Sequence, residues 1–133
     1  MHRIAVLAEK ETLCPRIAQE IARFCGERGL FPRIAQYQDQ EGFFEEVRHA
    51  APSNAVIALS GVDGLNAAEH LRALQPGCRI IWCSDLDFSL QAFRLRADDF
   101  MLAPVTPERL RQGLALWLER RNAAEPIQPQ VQQ

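Results

Sequence analysis

The stretch Asn54-Ala55-Val56-Ile57-Ala58-Leu59-Ser60-Gly61-Val62-Asp63-Gly64 constrains this chain more than any other. Its first half is apolar at consecutive positions. A half-exposed strand alternates apolar and polar residues, so an unbroken apolar run predicts a strand covered on both faces. Such a strand belongs in the middle of a parallel sheet with helices above and below. The C-terminal ends of its strands then open into a crevice, where open α/β sheets place their chemistry. Here that end carries Leu59, Ser60, Gly61 and Asp63, a thin set of reactive groups.

The flanking segments repeat one alternation. Residues 3–8 read as a first strand. Leu13, Ile17, Ile21 and Phe24/Cys25 recur at helical spacing after a Thr12 cap, and Gly29 ends that helix. Leu30–Ala35 reads as an edge strand, because Pro32 cannot donate to a ladder. Residues 40–51 form a second helix with Phe43, Val47 and Ala50/Ala51 inward. Asp63 is a candidate N-cap for a third helix with Leu65, Ala68, Leu71 and Leu74 inward. Cys78–Cys83 is a fourth strand, followed by a helix of about ten residues ending near Arg96. Phe100–Leu102 is a fifth strand. Thr106-Pro107-Glu108 opens a last helix with Thr at the cap, Pro at the first helical position and an acid in the first turn. Five βα units in strict alternation predict a doubly wound five-stranded parallel sheet with right-handed crossovers. One domain over 1–121 is expected. The Gln/Pro-rich residues 122–133 are expected to be a disordered tail or linker remnant.

Composition excludes several functions. A net charge of -2 provides no basic face for nucleic acid. No apolar run is long enough to span a membrane, and no signal-peptide pattern opens the chain, so a cytoplasmic location is expected. Cys14, Cys25, Cys78 and Cys83 form no C-x-x-C pair and have no histidine at ligand spacing, so they read as small buried hydrophobes. No Ser-His-Asp order, P-loop or G-x-G-x-x-G occurs, and no enzymatic activity is expected.

The segment Arg96-Ala97-Asp98-Asp99-Phe100-Met101-Leu102-Ala103-Pro104 resembles the G-A-D-D-[YF]-L-x-K-P of response-regulator receiver domains. Asp63-Gly64-Leu65 with Leu71-Arg72 resembles their D-G-L…L-R, and Ile4–Glu9 resembles their first strand. The resemblance spans residues 3 to about 120. It implies a flavodoxin-like (βα)5 fold with strand order 2-1-3-4-5. It also implies a pocket in which an aspartate ending the third strand accepts a phosphoryl group, acids after the first strand hold Mg²⁺, a hydroxyl ends the fourth strand and a lysine ends the fifth.

At those positions this sequence carries Ala8 and Glu9, Leu59 or Ser60, Ser84, and Ala103. The interval to Gly64 is shortened. The remnant pocket is therefore Glu9, Ser60, Asp63, Ser84 and Ala103, with Ser84 and Phe100 at switch positions and Pro104 expected after a cis bond. No metal or other cofactor is expected, Mg²⁺ included. The implied function is a pseudo-receiver: a signal-transduction module that works without phosphorylation, through a protein partner or homodimer. Its surface would be the fourth helix, fifth strand and fifth helix, with candidates Phe88, Gln91, Arg94, Arg96, Asp98, Asp99, Arg109 and Arg111. Two alternatives stay open: a phosphoacceptor using Asp63 or Ser60, and a small-molecule sensor using the crevice.

Overall fold

Five strands and five helices alternate along the chain in a computed structural model that describes the backbone of residues 2–127 and the side chains of residues 2–119. The elements are β1 (Arg3–Ala8), α1 (Leu13–Gly26), β2 (Arg33–Tyr37), α2 (Gln40–His49), β3 (Asn54–Ala58), α3 (Gly61–Leu74), β4 (Arg79–Ser84), α4 (Ser89–Arg94), β5 (Asp99–Leu102) and α5 (Pro107–Ile127). All strand pairings are parallel, in the order β2-β1-β3-β4-β5. Every residue of β3 is buried, as its unbroken apolar run requires.

Period-two alternation sorts the strand residues into two cores. Ile4, Val6, Ala8, Val56, Ala58, Ile81, Cys83 and Met101 pack with α1 and α5. Ala5, Leu7, Ala55, Ile57, Leu59, Ile80 and Trp82 pack with α2, α3 and α4. All four cysteines are buried and free. Burial pushes the Cys78 thiol up to about 12 and the Cys83 thiol up to about 11.

Local signals resolve well at several element ends. Gly29 lies in the left-handed region at φ +72°. Leu30 N–H donates to the Cys25 carbonyl and Gly29 N–H to that of Gly26, which completes a Schellman motif. Thr106 Oγ1 accepts from Arg109 N–H at 3.1 Å, capping α5 as its sequence indicates. Strand β2 is an edge and begins directly after Pro32, three residues later than expected, because proline has no N–H for the ladder.

Other expectations are corrected. Thr12 stands before α1 but makes no side-chain capping bond. Asp63 is not the cap of α3. The helix starts earlier, Ser60 occupies the cap position, and Asp63 sits exposed in the first turn. Helix α3 buries Gly64, Ala67, Ala68 and Leu71, while Leu65 is half-buried and Leu74 is exposed, because small residues bring the helix close to β3 and β4. Helix α4 has six residues, not ten. Helix α5 continues to Ile127, past the boundary expected at residue 121, and residues 128–133 of the expected tail lie outside the described residues.

Candidate functional site

The strand register sets the floor of the C-terminal crevice. Ala8 pairs with Ala58, Ala58 with Cys83, and Cys83 with Met101. Just beyond this apolar row lie Glu9, Ser60, Ser84, Asp85, Ala103 and Pro104, which line a cleft of about 560 Å³ together with Lys10, Thr12 and Arg16. Of the expected pocket residues, Glu9, Ser60, Ser84 and Ala103 do converge here. Asp63 does not line the cleft. Leu59 also lines the cleft, while most of its surface is buried in the opposite core with Ile57 and Trp82.

The polar groups of the crevice bind one another. Ser60 donates to Glu9 Oε1 twice, from its backbone N–H at 2.7 Å and from its hydroxyl at 2.5 Å. Gly61 N–H donates to Asp85 Oδ1 at 2.8 Å. Ser84 Oγ donates to the same oxygen at 3.3 Å and accepts from Leu86 N–H at 3.2 Å. Both carboxylates are held below their ordinary range: Glu9 by the Ser60 hydroxyl and then its amide, Asp85 chiefly by the Gly61 amide. The two acids therefore satisfy the first amides of α3, which a helix start otherwise leaves unpaired. Gly61 itself has φ +61°, a left-handed conformation that glycine adopts without strain and that lets β3 turn into α3 within two residues.

These donors do not fit Mg²⁺. That ion requires near-octahedral oxygen coordination, commonly with carboxylates. Ala8 and Leu59 offer none, and one oxygen of Glu9 is already doubly hydrogen-bonded. Among the described residues, no cluster of three or more acidic, histidine or cysteine side chains forms a metal site.

The expected switch positions have defined surroundings. Ser84 is buried. Phe100 packs edge-on against Trp82, with ring centroids 5.3 Å apart, and Phe88 stacks on Trp82 at the same distance. The Ala103–Pro104 bond is cis.

The expected interface residues separate into groups. Phe88 is turned in against Trp82, and Gln91, three residues on, is half-buried. Arg94 and Arg96 are exposed. Asp98 is largely buried; it accepts from Ile80 N–H at 2.9 Å and pairs with Arg79 at 3.3 Å. Asp99 and Arg109 form a two-pronged pair at 2.6 and 2.9 Å. Arg111 belongs elsewhere: it reaches α1, pairing with Glu20 at 2.5 Å and with Glu27. Instead, the α4–β5 face exposes Leu86, Leu90, Phe93 and Leu102, with Phe93 80% exposed. The sequence reading overlooked these because apolar residues at helical spacing usually face a core. It also missed Asp85, whose signal was its place directly after the fourth strand.

No family model and no curated protein matches the chain. Solved structures do. The fold is that of response-regulator receiver domains. The Thermotoga maritima response regulator DrrB, an OmpR/PhoB homologue, superposes with a TM-score of 0.73 at 21% identity, covering 91% of this chain. This chain spans only 54% of DrrB. The BeF3-activated DrrB receiver domain gives a TM-score of 0.71 at 22% identity over 90% of this chain and 99% of that one. A receiver domain from Clostridium thermocellum gives 0.74 at 13% identity, with coverage of 92% and 98%.

Proposed function

We propose that this chain acts in signal transduction as a receiver-like module that works without phosphoryl transfer and binds a protein partner through its α4–β5 face. The carrying observation is the self-paired crevice. Glu9 and Asp85 hold the Ser60 and Gly61 amides, while Ala8, Leu59 or Ser60, and Ala103 stand where metal ligand, acceptor and lysine would be needed. A phosphoryl acceptor needs a cation to offset its charge and a group to orient the donor. Here the carboxylates already perform a structural task. The Trp82–Phe100 and Trp82–Phe88 contacts support a face whose shape is set by packing and not by a phosphoryl group. The exposed Leu90, Phe93 and Leu102 supply the apolar part of that face.

The test is intact mass after incubation with acetyl phosphate and Mg²⁺, beside a receiver domain that does become labelled. The expected result is no mass gain on this chain. A single phosphoryl adduct would overturn the reading, and mapping it to Ser60 or Asp63 would identify the acceptor. For the partner face, Phe93→Ser should weaken self-association or partner capture without changing the unfolding free energy by more than a few tenths of a kcal/mol.

A further inference from the structure

The opposite end of the sheet holds a second cavity, away from the crevice. On the α2 side, β1 and β2 present three register pairs: Arg3 with Arg33, Ala5 with Ala35, and Leu7 with Tyr37. The upper pair is large, and Tyr37 packs edge-on against Phe43 of α2 at 5.6 Å. The middle pair is small. Two alanines leave unfilled space beneath α2, a groove of about 370 Å³ walled by Phe43 and Val47. Ala35 is solvent-exposed although it lies on the helix-covered side of the sheet, so α2 does not close the groove.

The lower pair sets the chemistry. Arg3 and Arg33 are direct neighbours on adjacent strands, a like-charge pairing that costs stability. Arg79, Arg109 and Arg111 all sit in ion pairs. Among the described residues, neither Arg3 nor Arg33 joins one. Among the described residues, Glu46 is the only acid lining the groove, and it forms an ion pair with neither arginine. It repels an anion from the α2 wall and leaves the arginine side as the anion's seat.

We propose that this groove binds a small organic carboxylate, with its head group between Arg3 and Arg33 and its apolar body over Ala5 and Ala35. Guanidinium groups match carboxylate geometry through paired N–H donors. The volume lies within the range of about 300–1,000 Å³ typical of small-molecule sites. An anion there removes the repulsion between the two arginines, and the apolar body fills space that α2 leaves open.

The test is an ¹⁵N-edited NMR titration of the full chain with hexanoate, benzoate and phenylacetate, each beside its uncharged amide. For at least one acid, saturable shifts at the Ala5, Ala35 and Val47 amides are expected, with a dissociation constant on the order of millimolar. The matching amide should bind at least tenfold more weakly. Arg3→Gln/Arg33→Gln should cause a similar loss, and Ala35→Leu, which fills the groove, should abolish the shifts. The spectra themselves report whether each variant is folded. No saturable shift with any of the three acids, equal binding of acid and amide, or binding unaffected by Ala35→Leu would overturn the proposal. None of these outcomes bears on the phosphorylation test.

Discussion

Replacing Gly64 by alanine should destabilise the protein, against the ordinary preference of a helix. Alanine in a helix interior is favoured over glycine by about 1 kcal/mol. At Gly64 a Cβ would stand 2.6 Å from the Leu59 carbonyl oxygen and 3.2 Å from Trp82 Nε1, well inside the 3.4 Å at which ordinary contact begins. Neither neighbour moves freely. Leu59 is buried, and the amides directly after it are held by Glu9 and Asp85. Trp82 is packed between Phe88 and Phe100. Overpacking of this kind costs about 1–3 kcal/mol. A 2.6 Å approach to a backbone oxygen, which cannot swing aside, puts the cost in the upper half of that range, about 2–3 kcal/mol, so with the helix preference set against it the net loss is about 1–2 kcal/mol, or roughly 4–8 °C in Tm for a domain of this size. Urea unfolding followed by circular dichroism reads this as a lower midpoint at unchanged slope. Gly26→Ala is the control. Gly26 is helical with nothing within 4 Å of its added Cβ, so it should gain about 0.5–1 kcal/mol. A Gly64→Ala variant as stable as the parent would refute the close approach of α3 to the end of β3.

Three further outcomes are expected. Glu9 and Asp85 have folded pKa values below their unfolded ones, so the unfolded chain binds more protons on acidification. Their stabilisation is present above the unfolded values and is lost as pH falls through the folded ones. Glu9→Gln should therefore flatten the decline in urea midpoint below roughly pH 5, and parallel pH curves for parent and variant would contradict the Ser60–Glu9 bonds. Asp99→Asn and Arg109→Gln should each cost about 1–2 kcal/mol, with the double variant recovering about 1 kcal/mol in a double-mutant cycle, because the pair is two-pronged and Asp99 is largely buried while Arg109 stays partly in water. Thr106→Ala should cost about 1 kcal/mol and Thr12→Ala no more than a few tenths, since only Thr106 caps its helix; equal effects would refute that distinction.

Signals that act over a few residues were legible in the sequence. The apolar run of β3, the proline before β2, Gly29 after α1 and the Thr106-Pro107 start of α5 each act through local sterics and hydrogen bonding, and each resolved as those forces dictate. Strict alternation of the elements then led to the doubly wound sheet, because parallel strands require crossovers of one hand. The sequence also indicated what the crevice lacks, since Ala8 and Ala103 are apolar wherever they lie and the acceptor position falls on Leu59 or Ser60, neither of them an aspartate.

What the remaining polar groups do was decided only in three dimensions. Glu9 meets Ser60 across 51 residues, Asp85 meets Gly61 across 24, and Arg111 meets Glu20 across 91. Those partners depend on which strands become neighbours and in what register, and no local pattern encodes either. The outward turn of Leu90 and Phe93 has the same origin: a six-residue α4 buries only Ala92, so its other apolar side chains find no core to enter. The groove beneath α2 exists because Ala5 and Ala35, thirty residues apart, fall opposite each other in the sheet. Identity at each position is written in the chain, but adjacency is set by packing the whole sheet.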